Sequence, residues 1–535
     1  MKNSLCYLSL ALGLTSGSAA LGAFELATGT VYEDRNGNGR QESGEPGLEG
    51  VLVSNGRAVI ATAADGAWSL PVDDDDILFV IKPRGYALPL DERHKPQFYY
   101  IHKPAGSPEG LDFAGVAPTG PLPEHIAFGL IPQEEPDAFT GLFFGDPQPY
   151  RQEEVDWFEA DIVEEILALE QPFAFVSTLG DIVGDDLDLF EPMVDAVSRL
   201  EVPAWYVYGN HDMNFDVEHG HHADETFERV FGPPNYAFFM GPVCFVALDN
   251  VIYPRPDGRR GYVGGFTNEQ LLFLENLLAH VDPEALIVFQ THIPLEIYRQ
   301  GTESSSWREE DRDRLFALFQ DHPHVLALSA HTHTQNHHFY GPKENWPHTH
   351  EDHAIHHYNV GTTSGSWWQG QLDERGIPIT PMRDGTPNGY AFIHFDGNTY
   401  DLDYRAADHP ADETLRIHTP NYIREGEWRR HIVVNVYNGT PRDTVEYRLD
   451  DGDGEWRELS PREMPDPHYA HLFYGRDFAQ SAQSHRQLPP PADATHIWAG
   501  NLPRGMAAGT HTVEVRHTDF QGDVVIRTKT FEVVE

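Results

Sequence analysis

Six short apolar runs set the first constraint on this chain: GLFF (141–144), FAFVSTL (173–179), AWYVY (204–208), CFVAL (244–248), ALIVF (285–289) and VLALS (325–329). Each has the length of a buried strand, and helical spacing separates them. Val155, Phe158, Ile162, Ile166 and Leu169 recur at the helical period, and Thr267 with Gln270 has the spacing of a capping box ahead of LLFLENLL. Strands alternating with helices predict an α/β layered domain. Five of the six runs stop on polar side chains: Asp146 and Gln148, Asp181, Asn210-His211-Asp212, His292, and His331 with His333. One polar strand ending is usually a turn. Five in one layered domain place their side chains where such folds collect ligands, outside the carboxyl ends of the strands.

At 535 residues the chain exceeds a single core, and its two flanks have a different texture. Residues 24–136 begin with short β-rich runs broken by Gly, Asn and Asp turns, which predicts a small β-sandwich, followed by an ordered connector rich in Pro and Gly from Pro83 to Pro136. VDDDDI (72–77) reads as a solvated loop. The catalytic candidates fall in 137–408. From 409 to 535 the helical spacing stops, and strands with tight turns predict a second, immunoglobulin-like β-sandwich. Residues 1–23 have the form of a secretory signal, with Lys2, an apolar stretch and then small residues. An exported protein, periplasmic or secreted, is expected, with no later segment able to span a bilayer. Cys6 leaves with the signal and Cys244 sits in an apolar run, so no disulfide framework is expected. With 84 Asp and Glu against 37 Lys and Arg, the formal charge is −47, which disfavours nucleic acid and anionic membrane as partners.

The residue types at the strand ends narrow the chemistry. Asp, Asn, Gln and His offer oxygen and nitrogen donors without thiolate, a set that suits borderline divalent metals such as Mn, Fe or Zn. Seven donors are too many for one tetrahedral site and suit two ions sharing a carboxylate. Two ions about 3.5–4 Å apart can stabilise the attacking and leaving oxygens of an in-line phosphoryl displacement, with an acidified water as nucleophile.

In this order and spacing the motifs resemble the calcineurin-like metallophosphoesterase superfamily. YYIHKPAGSP, GVAPTGPLP and GTTSGSWW resemble a bacterial branch with added N-terminal and C-terminal β-domains. The resemblance implies a layered metallophosphoesterase domain, a ββ-sandwich core flanked by helices, between two small β-sandwiches. It implies a metal-dependent phosphoric ester hydrolase acting on a small phosphorylated substrate, monoester or diester, by attack of a metal-bridging hydroxide. Asp146, Gln148, Asp181 and His333 would hold one metal, and Asp181, Asn210, His292 and His331 the other. His211 would serve the leaving group as general acid, with Asp212 orienting it or its loop. Gln148 stands where the family more often has His, which shifts the expected metal from zinc toward manganese or iron. The competing reading is a surface-binding or adhesion protein with a catalytically spent phosphoesterase domain. It predicts missing ligands, whereas every family position here carries a competent donor.

Other signals carry less. DRNGNGRQESGE matches the spacing of a calcium loop, with oxygens from Asp34, Asn36, Asn38, Arg40 and Glu45, set against an Asn-Gly turn. Trp367 in GTTSGSWWQG is a candidate wall of the substrate pocket. The histidines at 337, 338, 348, 350, 353, 356 and 357, like those at 219, 221 and 222, read as packed and hydrogen-bonded side chains near the site. DDGDGEW (450–456) reads as a hairpin turn.

Overall fold

The apolar run ending at Phe144 becomes the strand Ala138–Phe144, central to a five-stranded sheet. Phe175–Thr178 and Ala204–Tyr206 add to it in parallel on one side, and Gly389–Asp396 and Thr399–Ala406 close it antiparallel on the other. The computed structural model describes residues 25–296, 298–299, 302–303, 307–344, 354–427, 430–450, 455–475 and 484–535; the expected secretory signal at 1–23, His348, His350, His353 and most of the DDGDGEW stretch lie outside them.

A second, six-stranded sheet runs Tyr236–Met240, Val243–Ala247, Ile287–Gln290, Val325–Ser329, Ile355–Asn359, Asn336–Tyr340, with the four from Val243 to Asn359 parallel. Parallel strands buried on both faces need continuous apolar sequence, and all five residues of Val325–Ser329 are buried. The two sheets meet face to face through aromatic rings: Phe175 lies 5.1 Å from Phe245, and Trp205 stacks on Phe238 at 4.0 Å. The Ser177 hydroxyl donates to Gln290 Oε1 between the layers at 2.6 Å. Helices Phe190–Ser198, Asn268–Leu278 and Glu309–Leu318 cover the outside. Thr267 and Gln270 form the capping box in both directions. The helix expected over 155–169 forms, but with one widened turn, Glu159–Val163, in its middle.

Ahead of this domain lie two four-stranded sheets. The second half of the segment read as connector supplies one strand, Ile126–Pro132, parallel to Glu25–Glu33. Its alternation of buried Ile126, Phe128 and Leu130 with outward residues is the period-two pattern of a half-buried strand. Asp76, in the run read as solvated, is buried and takes both Arg57 guanidinium nitrogens at 2.9 and 2.6 Å. This N-terminal unit packs directly on the α/β layers: Phe98 lies 5.3 Å from Trp205, and their apolar residues form one continuous cluster.

The C-terminal sandwich has its own core, including Val434, Trp498, Val513, Val515 and Phe531. The expectation that helices stop beyond residue 409 is corrected by one helix, Pro467–Tyr474. Asp466 accepts from Tyr469 N as its N-cap and Pro467 occupies the first turn, a start signal carried by the sequence itself. The fold is thus an α/β layered domain between two β-sandwiches. Among the described residues no helix is long and apolar enough to cross a membrane.

Candidate metal centre

All five strand-end clusters converge on one edge of the facing sheets. Asp146, Gln148, Asp181, Asn210, His292 and His333 are buried, and His331 is partly so. Asp146, Gln148, Asp181, His331 and His333 all have positive φ, from 30° to 74°, a region non-glycine residues rarely adopt. Such strain persists only where surrounding contacts fix it, and it gathers at functional sites. Two glycines make the approach possible. A Cβ on Gly209 would fall 2.4 Å from Asp181 Oδ1, and one on Gly180 2.5 Å from His292 Nδ1.

Backbone carbonyls set the imidazole orientations. His292 Nδ1–H donates to Leu179 O at 2.8 Å, and His333 Nδ1–H donates to Gly365 O at 2.5 Å. Each ring therefore turns Nε2 inward. His292 Nε2 lies 3.1 Å from Asp181 Oδ2, 3.1 Å from Asn210 Oδ1 and 3.2 Å from His331 Nδ1. His333 Nε2 lies 2.8 Å from Gln148 Oε1, so one acceptor faces another. Asp146 Oδ2 accepts from His331 N at 2.8 Å, while its Oδ1 is buried without a partner. Two groups of lone pairs meeting this way, with an orphaned carboxylate oxygen, suit divalent cations.

The electrostatics agree. Burial lifts Asp146 well above the usual carboxylate range, against the pull of His292. Burial acts on Asp181 too, but His292 and His211 outweigh it and hold it ionised. Burial pushes His331 and His333 down to about 3, which leaves their nitrogens free as ligands. Burial opposes a proton on His292, yet Asp181 carries it up to about 9. A cation binding at Nε2 takes the place of that proton.

His211 sits at the rim with its side chain 27% exposed. Its Nδ1 lies 2.6 Å from Asp185 Oδ1, and its backbone N–H donates to Asp181 Oδ1 at 2.8 Å. Asp212 turns to the backbone instead, accepting from Gly209 N at 2.9 Å and Val183 N at 3.2 Å. It shapes the loop, and Asp185 holds the imidazole. Asp185 went unread in the sequence because the run Asp181 to Asp186 holds three acids and only its fold selects one. Tyr150, whose hydroxyl accepts from Gln148 Nε2 at 3.3 Å, carries no metal-donor signal of its own in the sequence and is placed there only by the turn after Gln148.

The segment 361–368 clamps the centre from behind. Thr363 N donates to Gly145 O, the Ser364 hydroxyl to Asp146 O, and Trp368 Nε1–H to Pro147 O at 2.8 Å. Trp367 lies against His333 with ring centroids 4.0 Å apart and lines a cavity beside His331. The loop Asp34 to Glu45 belongs to the N-terminal sandwich, apart from this centre. Asp34 accepts from Gly37 N and Gly39 N at 2.8 Å, Asn36 from Asn38 N, and Asn38 from Arg40 N, so the loop closes on its own backbone. His337 and His356 bond each other at 3.0 Å inside the six-stranded sheet, away from the inward-facing donors.

Residues 141–335 match the calcineurin-like phosphoesterase family, 35–117 the N terminal of calcineurin-like phosphoesterase and 357–524 its C terminal; together they take in most of the chain. The chain belongs to the calcineurin-like phosphoesterases. It is a metal-dependent phosphoric ester hydrolase by family, and the family implies a dinuclear divalent metal centre. No curated protein matches the sequence. Similar solved structures include a purple acid phosphatase, PPD1, from yellow lupin (Lupinus luteus) seeds, at 13% identity over 71% of this chain and 66% of that one, with a TM-score of 0.36. PhoD is similar at 11% identity over 79% of this chain and 92% of its own, also at 0.36.

Proposed function

We propose that this protein is an exported hydrolase of small phosphate esters, with Asp146, Gln148, Asp181 and His333 holding one divalent cation and Asp181, Asn210, His292 and His331 the other. The observation that carries this reading is the meeting of inward lone pairs: His333 Nε2 against Gln148 Oε1 at 2.8 Å, beside the buried orphan Asp146 Oδ1. Bound cations supply Lewis acidity at a phosphoryl oxygen and acidify water. The chain's own groups do the rest. Asp181 stays ionised between the two donor sets, and the carbonyls of Leu179 and Gly365 keep two imidazoles aimed. Burial lowers the affinity of His211 for a proton, but Asp181 and Asp185 raise it to about 9, so the ring at the rim has a proton to give a leaving oxygen. Gln148, an amide where imidazole is usual in the family, favours manganese or iron over zinc. The signal-like residues 1–23 support export, and residues 24–136, 137–408 and 409–535 divide the mature chain into frame, catalyst and second frame.

The test is a metal-stripped protein reloaded with Mn, Fe, Zn or Ca and assayed on p-nitrophenyl phosphate and bis-p-nitrophenyl phosphate, beside two variants. Turnover should return with a transition metal and not with calcium. Asp181→Asn should lose metal and activity together. His211→Asn should lower kcat by about 100-fold or more with metal content near wild type. Equal metal loss in both variants would sink the separation of ligand from acid.

A further inference from the structure

A cavity of about 690 Å³ opens beside His331 and Trp367 and runs away from the metal centre to the C-terminal sandwich, where Glu463, Asp493 and Thr495 form its far wall. We propose that it is the subsite for the alcohol leaving phosphorus, and that this alcohol is a neutral polyol of sugar size. The proposal rests on the phosphoesterase reading above.

Its wall chemistry suits the other common alcohols less well. Arg383 is the one Lys or Arg among the described lining residues, set against Glu296, Glu463 and Asp493. A nucleotide or a second phosphate would meet an excess of carboxylate, on a chain already carrying −47. An alkyl tail would strip water from threonine hydroxyls, amides and carboxylates without replacing their hydrogen bonds. An ammonium group would satisfy the carboxylates but face Arg383, which is tethered in the wall by Nε–H to Pro490 O at 3.1 Å. Polyol hydroxyls both donate and accept, so one molecule can serve carboxylates, guanidinium and hydroxyls at once.

Trp367 supplies the flat apolar surface that such a ligand also needs. Its ring is pinned against His333, and its backbone at φ 58° is fixed by the clamp loop, so the indole is placed before any ligand arrives. The far wall is joined to the catalytic sheet where the Thr495 hydroxyl donates to Asn336 Oδ1 at 3.3 Å. The C-terminal sandwich is therefore part of the binding site. In the reaction the bond from phosphorus to the sugar oxygen breaks, a water oxygen takes its place on phosphorus, and the sugar leaves with a proton on that oxygen.

Steady-state kinetics of the metal-loaded full-length protein decide this, using glucose 6-phosphate, phosphocholine, adenosine 5′-monophosphate and p-nitrophenyl phosphate. Glucose 6-phosphate should exceed phosphocholine and the nucleotide in kcat/KM by tenfold or more. In Glu463→Ala and in Asp493→Ala, the ratio of kcat/KM for glucose 6-phosphate to that for p-nitrophenyl phosphate should fall about tenfold. Glu463 is exposed, so its variant answers even if Asp493→Ala fails to fold. Intact turnover of p-nitrophenyl phosphate without a sugar preference, or with unchanged ratios in the variants, overturns the subsite alone. No turnover of p-nitrophenyl phosphate by wild type with any metal overturns the phosphoesterase reading, and the subsite with it.

Discussion

A single hydrogen bond decides what His292 and His333 can do, because a ring that donates through Nδ1 to a carbonyl offers Nε2 to the site. The same logic applies at the rim, where Asp185 engages Nδ1 of His211 and leaves Nε2 for the substrate side. Asp185→Asn keeps the shape but removes the charge that helps hold the proton on the ring. It should lower kcat about tenfold, less than His211→Asn, and move the limb of the pH–rate profile assigned to that ring to lower pH. Metal content, measured on the same sample, should not change; a fall in metal would show Asp185 acting on the centre and not on the acid. The seven proposed ligands were legible as strand endings because their types and positions each carry information. Asp185 and the backbone role of Asp212 were not, since three acids within six residues look alike until the loop turns at φ 47° and 70° at Asp181 and Asp185.

Elements were legible where burial imposed a period. Val325–Ser329 and the capped helix Asn268–Leu278 follow directly from apolar runs and capping chemistry. Ile126–Pro132 was hidden because its three buried residues sit in a Pro- and Gly-rich stretch and its partner, Glu25–Glu33, lies a hundred residues earlier. The histidine-rich pair Asn336–Tyr340 and Ile355–Asn359 has a consequence in acid. Burial holds His337 down to about 4, its Nε2 lying 3.0 Å from Asn438 Oδ1 and its Nδ1 3.0 Å from His356. The unfolded chain titrates this group near the ordinary value of about 6.5, so its effect vanishes above that pH. As pH falls from there toward 4, the unfolded state gains the proton first and stability is lost. His337→Gln should lower the melting temperature at pH 7, yet narrow the further drop between pH 7 and pH 5, by on the order of 1 kcal/mol. Calorimetry at both values reads the difference; parallel drops in wild type and variant would assign the acid sensitivity elsewhere.

At the scale of the whole molecule, the two flanking sandwiches are attached by different means. The N-terminal one shares an apolar core with the α/β layers, whereas the C-terminal one keeps its own core and is joined through buried polar groups and the small apolar cluster of Met382, Tyr404 and Tyr437. Asp384 is the pivot of that joint. Its Oδ2 accepts from Gln335 N at 2.6 Å, two residues beyond His333, and lies 3.1 Å from His496 Nε2 on the sandwich. His496 Nδ1 in turn lies 2.8 Å from Asn435 Oδ1, and the Asn435 amide donates to Asp466 Oδ2 at 3.0 Å. No sequence pattern announces such a network, because its members are scattered from Gln335 to His496 and each alone resembles a loop or strand polar residue. Buried polar networks are costly when half satisfied, so Asp384→Ala leaves Gln335 N–H and His496 without their acceptor. The expected loss is on the order of 3 kcal/mol, concentrated at the joint and not in either core. Calorimetry should show the sandwich melting ahead of the rest, as a separate transition, while metal content stays near wild type because no inward-facing donor of the centre contacts Asp384. KM for the preferred ester should rise with it, since Asp493 and Thr495 would no longer be held against the catalytic sheet. A single sharp transition with unchanged KM would show that the sandwich is held by its other contacts, and that the network at Asp384 contributes little to the joint.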